Sequence, residues 1–169
     1  MRTPMKLTRL VPLVAAAALL AGCSPTPGTA ASVDGIGISH AEVDRMVQGC
    51  REGVGIEDPN LNGGLVARTF ILSRLFDRAV EGVEDARGMI TAVEDLTRQQ
   101  APALMADDDC ADFAVLSMKT QLLGQVIQSE EQNQHVLDAD VQLNPRYGTF
   151  DIATLDSAPS GSLSFDSQG

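Results

Sequence analysis

Tryptophan is missing from this 169-residue chain, and only one tyrosine and five phenylalanines are present. Recognition of sugars by ring stacking needs aromatic faces, so this composition argues against a carbohydrate-binding protein. Histidine is just as scarce. His40 falls in the first turn of one expected helix and His135 near the end of another, among Gln and Asn, and each reads as a solvated surface residue. Basic residues are outnumbered, 12 Lys and Arg facing 23 Asp and Glu for a net charge of −11. A chain this acidic is repelled by nucleic acid and by anionic lipid headgroups. Neither a phosphate-cradling glycine loop nor a strand-to-helix serine elbow is present. Asp107-Asp108-Asp109 lacks the spaced oxygen ligands and the glycine of a calcium loop, and suits the positive end of a helix instead. Glu84-Asp85 and Glu94-Asp95 read as solvated pairs on helical surfaces. The expectation is a non-enzyme with no cofactor, no metal and no small-molecule substrate.

Long apolar runs are also lacking. The longest, Leu10 to Ala21, is shorter than the roughly 20 residues a membrane-spanning helix needs. It follows Arg2, Lys6 and Arg9 and ends in Leu20-Ala21-Gly22-Cys23, which is the layout of a signal peptide. The tetrapeptide resembles the lipobox of bacterial lipoproteins. That resemblance implies removal of residues 1–22, a diacylglyceryl group on the Cys23 thiol, and a membrane-anchored, extracytoplasmic protein. Two acyl chains make a durable anchor, whereas one anchors only marginally. The other reading is an ordinary secretory signal that leaves Cys23 as an incidental thiol. Loss of the leader would make the remaining chain still more acidic, at a length that suits one domain with one core.

Two further cysteines, Cys50 and Cys110, form an even pair in a chain read as exported to oxidising surroundings. A disulfide between them would close a loop of about 60 residues. Two buried free thiols, or half of a metal site, are the alternatives, although neither residue has a His or a third Cys nearby in the sequence.

Residues 23–31 read as the lipidated Cys and a flexible Pro-rich tether, and 32–153 as the folded domain. Within the domain, Val33–Ile38 alternates like a short strand, with Asp34-Gly35 as a turn. Ser39 and Glu42 make a capping box for a helix over about 40–51 that buries Val43, Met46, Val47 and Cys50. Four glycines and Pro59 make 52–64 a loop. Leu65–Val83 carries a broad apolar face that includes Phe70, Leu75, Phe76 and Val80, with Arg68, Arg74, Asp77, Arg78 and Glu81 mainly opposite. Further helices are expected over 84–100 and 109–132. Val141–Ile152 reads as extended and interrupted by Pro145, and residues 154–169, rich in Ser, Gly and Asp, as a disordered tail. The fold class is therefore mainly α. Met46, Met89, Met105 and Met118 lie on several of these helices, and methionine suits adaptable apolar grooves. They are candidate client-binding residues; the alternative is that they simply complete the core.

Two segments carry a family resemblance. Ala31-Ser32-Val33-Asp34-Gly35-Ile36-Gly37-Ile38-Ser39, followed by Glu42-Val43-Asp44, resembles the opening of the N-terminal domain of SurA-like periplasmic and cell-surface chaperones, a strand that leads into a capped helix. Asn144-Pro145-Arg146-Tyr147-Gly148 is similar to the Asn-Pro-Arg-Tyr/Phe-Gly segment of such proteins. The resemblance covers about residues 31–153. It implies a multi-helix domain whose first and last extended segments pair, and a groove that holds unfolded or exported polypeptides without ATP. Many relatives also carry a parvulin-type prolyl isomerase domain, for which the residues after this segment leave no room. A scaffold or accessory lipoprotein that binds one dedicated protein partner is the other expectation for the same fold.

Overall fold

The computed structural model describes residues 27–158 except Gly82. Cys23, the leader 1–22 and most of the expected tail lie outside the described residues. The described residues open in a hairpin, β1 (Thr29–Val33) and β2 (Ile36–Ser39). Asp34 and Gly35 both have positive φ, at 51° and 78°. That pair of left-handed residues makes a two-residue turn whose twist matches its strands. Ala30 and Ala31, expected in the tether, are instead fully buried within β1.

Helix α1 (His40–Gln48) starts from the expected box. Ser39 Oγ accepts from the Glu42 N–H, and Glu42 Oε2 accepts from the Ser39 N–H at 2.8 Å. The helix then widens into a π-turn at Gly49–Gly53 that carries the buried Cys50. Asn62 caps α2 (Gly63–Ala79), the central element. Val66, Ala67, Thr69, Ile71, Ser73, Leu75, Phe76 and Ala79 are all buried, and they cover most of the helix circumference. The chain therefore has no wide solvated side on α2. Three of its charged residues are paired instead: Asp77 takes Lys119 at 2.7 Å and Arg74 at 2.8 Å, while Arg78 bonds Asp34 and the His135 carbonyl.

Helix α3 (Ala86–Gln100) begins at Asp85, and a short 3-10 turn at Pro102–Ala106 leads to α4 (Asp108–Val126). Asp107 caps α4 by accepting from the Cys110 N–H, and Asp108 and Asp109 occupy the first turn, where the helix dipole favours anions. The expected helix over 109–132 breaks after Val126. Ser129 and Gln132 then cap α5 (Glu130–Leu137), and Gln132 Oε1 accepts from the Gln128 N–H at 2.9 Å.

The closing segment returns to the start. Strand β3 (Val141–Leu143) pairs antiparallel with β1, setting Val33 opposite Val141 and Ala31 opposite Leu143, in a sheet of order β2-β1-β3. The opening strand thus pairs with the first part of the expected 141–152 segment, although a three-stranded sheet and five helices do not by themselves define a SurA-type domain. After a 3-10 turn at Pro145–Tyr147, β4 (Thr149–Asp151) pairs with β5 (Asp156–Ala158). Residues 156–158, expected in the disordered tail, are therefore a strand. A disulfide between Cys50 and Cys110 ties the π-turn to the first turn of α4.

Candidate functional site: two grooves beside one helix

Helix α3 is the least embedded of the long helices. Only Val93 and Thr97 are buried along its 15 residues, and it borders three concavities. The first, of about 510 Å³, runs between α3, the end of α2 and the second half of α4. Met89, Ala92, Val93 and Leu96 line it from α3, Phe76 and Val80 from α2, and Leu122 and Val126 from α4. Its polar residues are uncharged glutamines, Gln125, Gln128 and Gln132. Val83 at its rim is one of two large exposed apolar residues among the described residues. An uncharged apolar groove of this size suits one or a few apolar side chains.

On the opposite flank of α3 lies a concavity of about 590 Å³ with a different character. Ile38, Met46, Phe70, Met105, Val115 and Leu116 form an apolar floor, and Glu42, Glu94, Asp108, Asp112 and Arg98 stand on its rim. Arg98 is engaged by Asp95 at 2.8 Å and Glu94 at 4.0 Å. Glu42 is held below its usual range by the Ser39 hydroxyl and backbone N–H. Partial burial pushes the Asp112 carboxyl up, and the charges of Asp109 and Asp108 add to the rise. The third concavity, about 470 Å³, contains the Arg74–Asp77 and Arg78–Asp34 pairs and is a charge network rather than an apolar site.

The four methionines do not converge. Met89 lies in the first groove, Met46 and Met105 share the second, and Met118 packs against the core and lines neither. His40 is not a free surface residue. Its Nδ1 lies 2.9 Å from the Tyr147 hydroxyl, and its half-buried ring packs on that tyrosine. His135 Nε2 sits 3.5 Å from Glu81. Sequence reasoning missed the acidic rim, because Glu42, Glu94 and Asp112 belong to three helices whose packing no local pattern reveals.

The Asn144–Gly148 segment, singled out by resemblance, serves the architecture. The Asn144 N–H donates to the Ala30 carbonyl, its amide Nδ2 to the Thr29 carbonyl, and its side-chain oxygen accepts from the Arg146 N–H. Tyr147 is buried against Gly63, where an added Cβ would come within 2.8 Å of the ring. Among the described residues no group of three or more His, Cys, Asp or Glu could hold a metal, and no helix is long and apolar enough to cross a membrane. No family model matches the chain, and no curated protein or solved structure matches it either.

Proposed function

We propose that this protein is a lipoprotein, anchored through Cys23 at the extracytoplasmic face of the membrane, that holds unfolded or exported polypeptides by apolar contact, without ATP and without catalysis. The observation that carries the reading is the uncharged groove between α3 and α4, lined by Met89, Leu96, Phe76 and Leu122 and open to solvent at Val83. Exposed apolar concavities of this kind are uncommon on monomers except at binding sites. The antiparallel pairing of β1 with β3, more than a hundred residues later, supports the SurA-like reading of the sequence. A scaffold for one dedicated partner is the second reading. The bounded volume of the groove favours it, since about 510 Å³ takes a few side chains rather than a long chain.

Adding the oxidised protein at equimolar ratio to several unrelated unfolding proteins, and following light scattering, tests the first reading. Suppression of aggregation without ATP, lost in Leu96→Glu while the far-UV spectrum is unchanged, is the expected result. Absence of suppression for every client sinks general holding and leaves the dedicated partner.

A further inference from the structure

The second groove differs from the first in charge, and that difference bears on what would enter it. Asp108 and Asp112 are four residues apart on α4, so their side chains stack on one face and repel. Asp108 sits in the first turn, where the helix dipole compensates it, but the dipole fades beyond that turn and leaves Asp112 uncompensated. Among the described residues neither carboxylate has a basic partner within ion-pair distance; Arg45 reaches Asp109 instead, at 3.4 Å. Glu42 and Glu94 line the same groove, and its single lining cation, Arg98, is already held by Glu94 and Asp95. The rim is therefore anionic around a methionine-bearing floor, in contrast to the neutral first groove on the other flank of α3.

We propose that the groove between α1, α3 and α4 seats polypeptide segments in which an apolar side chain is flanked by lysine or arginine. The apolar side chain rests on Met46, Met105 and Phe70, and the flanking cations reach Asp108 and Asp112. Relief of the Asp108–Asp112 repulsion adds to the attraction. This assignment rests on the polypeptide-holding function proposed above and specifies which segments are preferred.

The test is fluorescence anisotropy of the oxidised protein with a labelled amphipathic leucine–lysine peptide and its leucine–glutamate counterpart. The lysine peptide is expected to bind about tenfold more tightly or better, and to weaken as salt rises from about 20 to about 300 mM. Asp108→Asn with Asp112→Asn should remove about tenfold for the lysine peptide and nothing for the glutamate peptide. Met105→Ala should weaken the lysine peptide severalfold, showing that the floor takes part. Equal binding of the two peptides, or an affinity unmoved by the double substitution, overturns the assignment. So does competition by spermidine together with indifference to Met105→Ala, which would mark a simple cation site. Suppressed client aggregation without any charge preference defeats this inference alone. Charge-selective peptide binding without suppression defeats the general-holding reading and leaves the groove assigned.

Discussion

The Nδ1 of His40 lies 2.9 Å from the hydroxyl of Tyr147, joining the first residue of α1 to a residue 107 positions later. The bond closes a cluster in which the tyrosine ring covers Gly63 at the start of α2. Tyr147→Phe should cost about 1 kcal/mol, the net worth of one hydrogen bond, and Tyr147→Ala about 3 kcal/mol through the cavity it leaves. Gly63→Ala should cost about 2 kcal/mol, because its methyl would meet the ring. Urea unfolding monitored by circular dichroism measures all three.

Tyr147 is the only tyrosine and there is no tryptophan, so ultraviolet titration reads its phenol alone. Burial raises that phenol above its ordinary 10.0, and Asp44 adds to the rise while Arg146 opposes it. A raised acid favours the protonated form in the fold. Its contribution to stability is full below the unfolded pKa and is lost as pH climbs through the folded value. The phenolate absorbance should therefore rise at higher pH in the folded protein than in urea; coincident curves would contradict the burial of the ring.

Glu42 is lowered from 4.5 by the Ser39 hydroxyl and backbone. Its contribution is present above that value and lost as pH falls through the folded one. Asp112 is raised from 3.8, chiefly by burial, so its protonation relieves the fold over the same acid range. Glu42→Gln should flatten the acid limb of the stability curve, and Asp112→Asn should steepen it. Thermal melts between about pH 6 and about pH 3 separate the two; parallel curves for both variants would discount the capping box and the acidic rim.

The charge network offers another expectation. Asp77 serves both Lys119 and Arg74, and only 16% of its side chain is exposed. Asp77→Asn leaves two half-buried cations short of their partner and should cost about 2 kcal/mol in urea unfolding. A change below about 0.5 kcal/mol would class the pairs with ordinary surface ion pairs.

Reduction of the Cys50–Cys110 link should lower stability by about 4 kcal/mol, since the two cysteines are 60 residues apart. Both residues are fully buried, so reductant should act slowly until the protein opens. A melting temperature unchanged by reductant would mean that the helices hold this junction unaided.

Local chemistry made much of this fold legible. Ser39 and Glu42 announce α1 because a capping box needs only four residues, and α2 declares itself through Leu65, Leu75, Phe76 and Val80. The break at Val126 was also written locally, in Ser129 and Gln132, but the apolar run through Ile127 reads as one continuous helix. Ala30 and Ala31 look like tether because small residues carry no strand signal; they are strand because Ala31 lies between Ile38 of β2 and Leu143 of β3. Groove membership was less accessible still. Met46 and Met105 line one groove because α1 and the turn before α4 both pack against α4, while Met118 packs against the core.

Strand β1 lies between a partner that follows it at once, β2, and one that comes more than a hundred residues later, β3. A chain that emerges from its amino end, at a ribosome or through a channel, therefore carries an unfinished sheet until Leu143 and Tyr147 arrive. Until then the backbone edge of β1 stays unpaired and Gly63 stays uncovered. The order of emergence thus makes completion of this domain a late event, and a chain cut short before residue 141 should be recognisable as incomplete by its own bare edge.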